Sequence, residues 1–405
     1  MTTLPDLPMP REDEFPFDPP PEYAALRTGD PVVKVSCPTG IEAWLVSTYE
    51  GVRDVLGDGR RFTSRPGQVA HILTSFDPES PVNGEFSRLD GPEHVRIRRN
   101  FAPQLSHARR LAELRPLVED IVGQAVDRLD GTAQPLMLHK PFSRWITTAV
   151  IAELIGVPPD QRFLLHDAAK ALFDPATTAE ELDTALQPLW AYLYGLVTTR
   201  RAAPGDDVMS RMIRHSADSD RPLTDLELVR MNGALLVAGF DTTASMLTHG
   251  LLALLCHPRE WARLCADPGL APSAAEELVR YLGVGVGLMR QATEDTRVCG
   301  RDIAAGDYVV AAVQSANRDP ALHRDGDVLD VTRKPGAHVG FGHGAHACVG
   351  QQIARMELTS ALRALATRVP TLRLACPADE VEFKKDSVVR GPVDMPVAWK
   401  EVAPR

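Results

Sequence analysis

The chain has 405 residues, of which 44% are hydrophobic and 24% are charged, as is typical of a globular protein with a large core. Its formal charge of −10 argues against nucleic acid as a general partner. We find no signal peptide and no run approaching about 18 apolar residues, so we expect a cytoplasmic protein without a membrane span.

The N-terminal third begins with a proline-rich segment and two predicted strands. The proline-rich segment covers residues 1 to about 22 and has seven prolines in its first 21 positions. Residues 31–38 and 42–49 have the composition of two β-strands, joined by a turn at Thr39–Gly40.

Helical periodicity dominates the middle of the chain. Residues 179–197 place apolar side chains at spacings of three and four, and Pro204–Gly205 ends that segment. A longer helix starts after the capping box of Thr224 and Glu227, and no proline follows until Pro258. At about 1.5 Å per residue, roughly 33 residues span about 50 Å. This helix is apolar nearly all round, so we expect it to cross the middle of the protein.

The C-terminal third mixes short helices with turns. Ser273 and Glu276 predict a capping box at the start of a short helix, and residues 283–331 are rich in turns and short β-like runs. Val349 is the predicted start of a final helix, with Val349, Ile353 and Met356 on one face. We find no repeat or domain boundary, so a single domain over residues 1–405, mainly α with a minor β region, fits best.

Cys348 is the cysteine with unusual neighbours. The six cysteines lie far apart without a Cys-x-x-Cys pair, so neither a disulfide framework nor a zinc site built on such pairs is indicated. The segment "HVGFGHGAHACVG" at 338–350 could present a thiolate, stabilised by a following helix N-terminus, to a flat ligand. A glycine-rich turn around a buried cysteine and a zinc site remain alternatives, the zinc ligands being His338, His343, His346 and Cys348.

The same segment resembles the haem-binding signature of the cytochrome P-450 family. Five positions match that signature: Phe341, Gly342, Gly344, Cys348 and Gly350. The resemblance implies the cytochrome P-450 fold, with haem b between a long central helix and a C-terminal cysteine-loop helix. Cys348 would be the axial thiolate ligand of the iron, with Phe341 and Gly350 beside the cofactor.

Further motifs resemble the family at family-like spacing. "EELVR" supplies Glu277 and Arg280, which alone could be a surface ion pair worth a few tenths of a kcal/mol. The resemblance implies instead a buried network of Glu277, Arg280 and Arg333. "ANRDP" at 316–320 and "DVTR" at 330–333 are also similar to family motifs.

The segment "AGFDTT" places an acid and an alcohol in the apolar central helix. From the residues alone, Asp241 could be a paired core acid, and Thr242 could bond to the carbonyl one turn earlier. Gly239 could leave a groove in the helix wall. The resemblance implies that Asp241 and Thr242 deliver protons to dioxygen in this groove, and that Ala238 contacts the cofactor.

Cationic residues match the family's ligands for the haem propionates. They are His94, Arg98, Arg290 and His346, although each alone could lie on a solvated face.

A basic run within residues 94–110 predicts an acidic partner. The run contains no acidic residue and would steer such a partner by its field, although phosphate binding is a rival explanation. Its members are Arg96, Arg98, Arg99, Arg109 and Arg110. The resemblance implies a ferredoxin, which is reduced by an NAD(P)H-driven ferredoxin reductase. "GVGVG" at 283–287 follows a helix, so we reject a dinucleotide site.

The resemblance implies a monooxygenase that uses O2 to oxidise, by default to hydroxylate, a medium-sized hydrophobic small molecule. By analogy with bacterial relatives, we expect a role in secondary metabolism. By position, the pocket would include Val69, Ile72, Leu235, Ala238, Val284, Val286, Leu288 and Val389. Two alternatives remain open: a cytochrome P-450 that couples or cyclises its substrate without oxygen insertion, and a non-catalytic haem-binding sensor or carrier.

Overall fold

Helices dominate the computed structural model, which describes residues 4–11, 17–65, 85–173, 177–285, 287–385, 387 and 389–405. Helix accounts for 54% and strand for 11% of the structure, which confirms the predicted fold class. None of the helices in the described part of the chain has the length and apolarity needed to cross a bilayer.

The α-helices are distributed along the whole chain. In order they are α1 (Glu22–Thr28), α2 (Tyr49–Gly57), α3 (Glu85–Arg88), α4 (Gly91–Phe101), α5 (Pro103–Ser106), α6 (Ala108–Asp127), α7 (Trp145–Ile155), α8 (Phe163–Phe173), α9 (Ala179–Ala202), α10 (Val208–Ala217), α11 (Asp225–Cys256), α12 (Pro258–Ala266), α13 (Ala271–Leu282), α14 (Val313–Ala316) and α15 (Gln351–Arg368). A π-helical turn, His139–Arg144, precedes α7, and short 3₁₀ turns lie at Pro159–Gln161, Pro268–Leu270, Gly344–His346 and Ala378–Glu380.

The strands of the described ranges form three small sheets. They are β1 (Val32–Ser36), β2 (Glu42–Val46), β3 (Phe62–Thr63), β4 (Leu136–Met137), β5 (Leu288–Ala292), β6 (Thr296–Val298), β7 (Arg301–Ile303), β8 (Tyr308–Ala311), β9 (Arg373–Leu374) and β10 (Pro396–Ala398). The largest sheet has the order β1-β2-β8-β5-β3, in which only the β2–β8 pair is parallel. The others are β4-β10-β9 and β6-β7.

The first two strands form as the sequence predicts. β1 and β2 pair antiparallel, with Val33 opposite Leu45, and the turn between them contains Gly40 at φ 80°. Glycine adopts this left-handed conformation without the steric cost that a Cβ would add.

The central helix α11 confirms the strongest helical prediction. The side chain of Thr224 accepts a hydrogen bond from the Glu227 N–H, and the Glu227 carboxylate accepts one from the Thr224 N–H at 2.8 Å. These two bonds satisfy donors that the first turn would otherwise leave free. Most residues of α11 are buried, and it packs against α7, α9 and α13, as expected for a helix through the core.

Two predicted helix starts are wrong. α13 begins at Ala271, and Ser273 lies within its first turn, where its hydroxyl donates to the Leu270 carbonyl at 2.9 Å. Glu276 therefore caps nothing; its carboxylate binds His338 and Arg355. The final helix begins at Gln351, because Val349 and Gly350 still belong to the turn after Cys348.

Candidate active site

The cysteine loop, residues 338–350, is folded back on itself before α15. The Cys348 N–H donates to the Phe341 carbonyl at 2.8 Å, which closes the loop. Gly342 and Gly344 both have φ 72°. A Cβ on Gly344 would lie 2.5 Å from the Leu56 carbonyl oxygen at the end of α2, so only glycine lets the two segments approach this closely.

The Cys348 thiol is embedded in protein yet open on one side. Burial raises its pKa, and the backbone N–H groups of Gly350 and Gln351 and the cations Arg98 and Arg355 oppose that rise. The side chain is nevertheless accessible to solvent. These amides supply the stabilisation that was expected from a helix N-terminus, although Cys348 lies three positions before α15.

Two guanidinium groups beside this loop form no ion pair within the described ranges. Arg98 on α4 donates to the Ala347 carbonyl at 2.7 Å, and the buried Arg290 on β5 donates to the Met289 carbonyl at 2.8 Å. Burial lowers the pKa of both groups, because desolvation destabilises a cation, and the charges of Cys348 near Arg98 and of Asp90 near Arg290 oppose this shift.

A pair of stacked histidines joins the same cluster. The rings of His94 and His346 lie 4.2 Å apart, and His346 Nε2 lies 2.9 Å from Asp90 Oδ1. His94 is buried and its Nε2 has no hydrogen-bond partner in the described part of the chain. Burial, followed by the charges of His346 and Arg98, lowers the pKa of His94 to about 4. The structure thus brings His94, Arg98 and His346 together around the cysteine loop.

One face of the central helix is accessible although the helix crosses the core. Ala234, Ala238 and Thr242, spaced four residues apart, are partly or fully exposed, as is Val237. Residues at this spacing share one face of a helix. The Thr242 hydroxyl donates to the Ala238 carbonyl at 2.6 Å, which is the bond to the preceding turn that the residue type allows.

Asp241 is fully buried and ion-paired. Its Oδ2 lies 2.6 Å from Lys384 Nζ, and its Oδ1 lies 3.5 Å from an Arg144 nitrogen. The interpretation of Asp241 as an ion-paired acid in the core is therefore confirmed, and the pairing is compatible with a role in proton delivery. Sequence reasoning missed both partners, because Lys384 is 143 positions away and no local signal marks it.

The prediction that Gly239 leaves a groove in the wall of the helix is wrong. A Cβ on Gly239 would lie 2.7 Å from Ile151 Cδ1, so this glycine faces α7 and allows close helix packing. Ala238 is the most exposed position in this turn.

The proposed substrate contacts are only partly described. Val69, Ile72 and Val286 lie outside the described residues. Leu235 and Val389 are buried, and Val284 and Leu288 are half-buried. Val389 forms a β-bridge with Gly285, and a Cβ on Gly342 of the cysteine loop would lie 3.5 Å from Leu288 Cδ1. Gly285 therefore contacts the residues around Val389, and Leu288 contacts the cysteine loop.

The structure brings Glu277, Arg280 and Arg333 into one ion-pair cluster. Arg280 Nε and Arg333 Nε lie 2.7 Å and 3.1 Å from the Glu277 carboxylate, and Glu277 and Arg280 are buried. Arg280 also donates to the carbonyls of Asn317 and Gly326. The cluster ties α13 to the segment that leads to the cysteine loop.

The basic run is less basic in three dimensions than in sequence. Arg96 pairs with Glu93 and Glu227, and Arg110 is buried beside Glu113. Glu93 and Glu113 flank the run at i,i+3 spacing, whereas Glu227 lies far away in the sequence, on α11. Arg99 and Arg109 remain exposed, and Arg109 lies 3.3 Å from Glu113.

The zinc alternative has no support in the geometry. His338 binds Glu276, His346 binds Asp90, and His343 accepts a hydrogen bond from Arg53 at 3.5 Å. Throughout the described segments, no group of three His, Cys, Asp or Glu residues could hold a metal ion.

The residues do fit a haem. The open thiol of Cys348 offers a soft ligand for iron. A Cβ added to Gly350 would meet nothing within 4 Å, so the backbone there leaves room for a flat group. Arg98, Arg290 and the unpaired Nε2 of His94 suit the carboxylates of such a group.

Comparisons with known proteins agree with this geometry. Residues 270–390 match the family model for cytochrome P-450. The chain is 38% identical to nocardicin C N-oxygenase of Nocardia uniformis subsp. tsuyamanensis, over 94% of this chain and 95% of the relative. It is 39% identical to mycinamicin IV hydroxylase/epoxidase of Micromonospora griseorubida, over 93% and 94%. The crystal structure of the hydroxylase LnmA of Streptomyces atroolivaceus, from the leinamycin biosynthetic pathway, superimposes with a TM-score of 0.89 at 37% identity, over 98% of this chain and 100% of that one.

Proposed function

Because the chain belongs to the cytochrome P-450 family and is a monooxygenase that binds haem b, we propose that it hydroxylates a medium-sized hydrophobic small molecule with electrons from a ferredoxin. The observation that carries the proposal is the geometry of the cysteine loop. Its thiol is open on one side, and backbone amides oppose the rise of its pKa.

Cys348 is the proposed ligand of the haem iron. When bound, the haem supplies O2 activation and the oxidation of unactivated bonds, which a cysteine ligand favours. The N–H groups of Gly350 and Gln351 and the cation of Arg98 hold negative charge on the sulfur. Arg98, Arg290, His94 and His346 would bind the haem carboxylates, which would give the first two cations the counter-ions they lack.

Asp241 and Thr242 are the proposed proton-delivery pair. Thr242 lies on the accessible face of α11, and its hydroxyl proton is held by the Ala238 carbonyl at 2.6 Å. To deliver a proton, the hydroxyl would rotate away from this carbonyl and donate its proton, while its oxygen accepts another in replacement. Asp241 is adjacent in sequence and lies in the same turn, where it can resupply Thr242 through water.

The substrate pocket is proposed to be apolar. Leu235, Val284, Leu288 and Val389 contribute aliphatic side chains, and Ala238 keeps the middle of α11 narrow. The relatives are named for an N-oxygenation and for hydroxylation and epoxidation of natural products that differ from each other. Their names therefore support oxygen insertion and a role in secondary metabolism, rather than one particular substrate.

The ferredoxin is proposed to dock near Arg99. This residue follows Arg98 on α4, whose side chain contacts the cysteine loop, so a partner bound there lies close to Cys348. We expect Arg99→Glu to weaken ferredoxin binding about ten-fold at low salt and to reduce the salt dependence of the association rate. Arg373→Glu, an exposed residue on β9, is the matched control.

The ligand assignment is tested by the spectrum of the reduced protein under carbon monoxide. We expect the strongly red-shifted band of thiolate ligation in the wild type and in Cys299→Ala, the exposed-cysteine control. Cys348→Ala should lose the band. A wild type without the band, or a Cys348→Ala variant that retains it, would overturn the assignment.

The reaction type is tested by product mass. Hydroxylation adds one oxygen atom, whereas coupling or cyclisation removes two hydrogens. Optical screening for compounds that change the iron spin state identifies the substrate to use. Asp241→Asn should slow O2-dependent turnover about a hundred-fold while haem binding persists, since a general acid commonly contributes about 10²–10⁴. Unchanged turnover would remove Asp241 from the mechanism.

A further inference from the structure

Lys384 makes the closest ionic contact to the proposed proton-delivery acid. Its Nζ lies 2.6 Å from Asp241 Oδ2 and donates to Ser245 Oγ at 2.9 Å. The Asp241 side chain is 0% exposed and that of Lys384 is 16% exposed. One ammonium thus fixes an acid and an alcohol that lie one helical turn apart.

The other charged groups around Asp241 hold its carboxylate less closely than Lys384 does. Arg144 reaches the second carboxylate oxygen only at 3.5 Å, at the edge of hydrogen-bond distance. His139 lies nearby and bonds Thr248 at 2.9 Å; burial, then the charges of Lys384 and Arg144, lower its pKa to about 3. It is therefore neutral at physiological pH. Burial also lowers the pKa of Lys384, while Asp241 opposes that effect.

Lys384 also belongs to the segment that borders the proposed substrate pocket. The Lys384 N–H donates to the Gly391 carbonyl at 3.0 Å, and Phe383 forms a β-bridge with Pro392, so residues 383–384 pair with residues 391–392. Next to Gly391, the Arg390 N–H donates to the Val284 carbonyl at 2.7 Å. Gly391 packs on Ser245, since a Cβ there would lie 3.1 Å from Ser245 Cβ. This segment therefore contacts both the pocket wall and the turn of α11 that carries Asp241.

We propose that Lys384 is a positioning residue for Asp241: its ammonium holds the carboxyl group fixed beside Ser245, so that protons reach Thr242 at the required rate. The inference rests on the proposed role of Asp241. A buried carboxylate that loses its cation either takes up a proton or turns to another partner, because an uncompensated charge is not tolerated in a protein interior. Either change separates the acid from the geometry that proton transfer requires.

The contact itself is tested by infrared difference spectroscopy on the holoprotein. The variants are Lys384→Met, Lys384→Arg and the matched control Lys385→Met, whose side chain is exposed. We expect a difference band of the Asp241 side chain in Lys384→Met, either a protonated-carboxyl band or a shifted carboxylate band. The band should be absent from the wild type, from Lys385→Met and from the double variant Lys384→Met/Asp241→Asn. Absence of both kinds of band in Lys384→Met would overturn the inference.

The consequence for catalysis is tested by the fraction of reducing equivalents recovered in product rather than in hydrogen peroxide. We expect Lys384→Met to lower this fraction about ten-fold, because a misplaced acid loses part of the about 10²–10⁴ that general acid catalysis contributes. Substrate affinity, read from the spin-state change, should remain within about two-fold, and Lys384→Arg should recover much of the coupling.

The two proposals fail in different ways. Unchanged coupling in Lys384→Met, together with impaired coupling in Asp241→Asn, would overturn the positioning role and leave the proton-delivery role intact. Normal coupling in Asp241→Asn would overturn the proton-delivery role, and with it the inference, even if the infrared band appears in Lys384→Met.

Discussion

Replacing Glu277 by glutamine tests whether the ion-pair cluster below the cysteine loop stabilises the fold. Glu277 Oε1 accepts hydrogen bonds from Arg280, from Arg333 and from the Asp330 N–H at 2.8, 3.1 and 3.0 Å, and Oε2 accepts one from Arg280 at 2.7 Å. Glutamine keeps the shape but removes the charge. It leaves Arg280 buried opposite a neutral amide that also presents donors to it.

The magnitude follows from the burial of the pair. Glu277 and Arg280 side chains are 1% and 3% exposed, so solvent does not screen the loss. Breaking a buried pair on one side costs about 3–5 kcal/mol. With about 2.1 cal/mol/K of unfolding entropy per residue, 405 residues give about 0.85 kcal/mol/K, so Tm should fall by about 4–6 °C.

The assay is thermal unfolding of the holoprotein, followed by far-ultraviolet circular dichroism and by haem absorption at one fixed scan rate. Glu294→Gln is the control, since Glu294 pairs with Arg60 at 3.1 Å on the surface with 46% and 75% exposure. The control should lower Tm by no more than about 1 °C, because exposed pairs contribute about 0–1 kcal/mol. Equal shifts for the two variants would refute the reasoning from burial.

Three further predictions concern α11 and α15. Burial raises the pKa of Glu357 to about 8 from 4.5, and its Oε2 has no partner in the described part of the chain. Because the pKa of Glu357 is higher in the folded than in the unfolded protein, its protonated form adds stability below pH 4.5, and this contribution is lost as pH rises through 8. The free energy of unfolding of the wild type should therefore fall by several kcal/mol relative to that of Glu357→Gln between about pH 5 and 9. Parallel pH profiles of the urea midpoints would contradict this. Gly239→Ala should lower the free energy of unfolding by about 1 kcal/mol, because the new Cβ meets Ile151 Cδ1. Valine at position 151 lacks that atom, so in an Ile151→Val background the same substitution should stabilise the protein, since helix propensity favours alanine over glycine by about 1 kcal/mol. The same sign in both backgrounds would show that Gly239 does not face Ile151. Thr224→Ala should cost about 1 kcal/mol in urea unfolding through loss of the cap, and an unchanged midpoint would refute the role of the capping box.

The sequence predicts helix ends well only where the signal is local and complete. At Thr224 the capping box follows Pro222 and no competing start lies nearby, and the helix begins where the pattern indicates. Ser273 and Glu276 show the same spacing, but Pro272 is a stronger signal: proline favours the first turn of a helix, so the start falls at Ala271. The same pattern inside an existing first turn has no free donors to cap.

The sequence does not predict ion pairs between side chains from distant segments. Arg96 of the basic run pairs with Glu227 of α11, 131 positions away, and Asp241 gains Lys384 from a segment 143 residues away. Single-sequence patterns contain no distance information of this kind. The cysteine loop was predictable because its glycines, its thiol and its amides lie within thirteen consecutive residues.

The buried charges around the site are of two kinds: those that are ion-paired within the protein and those that are not. The difference indicates which of them bind a ligand. Asp241 is neutralised within the protein by Lys384 and Arg144, so its charge is compensated before any ligand arrives. Arg98 and Arg290 form no ion pair among the described residues, and burial lowers the pKa of both, although the charge of Asp90 opposes this at Arg290. A fold retains such uncompensated cations only if something anionic binds them, because their desolvation otherwise destabilises the protein. It follows that haem loading should stabilise this chain through Arg98 and Arg290 as well as through Cys348. Alanine at either arginine should then reduce the gain in Tm on loading while leaving the Tm of the haem-free protein unchanged or higher.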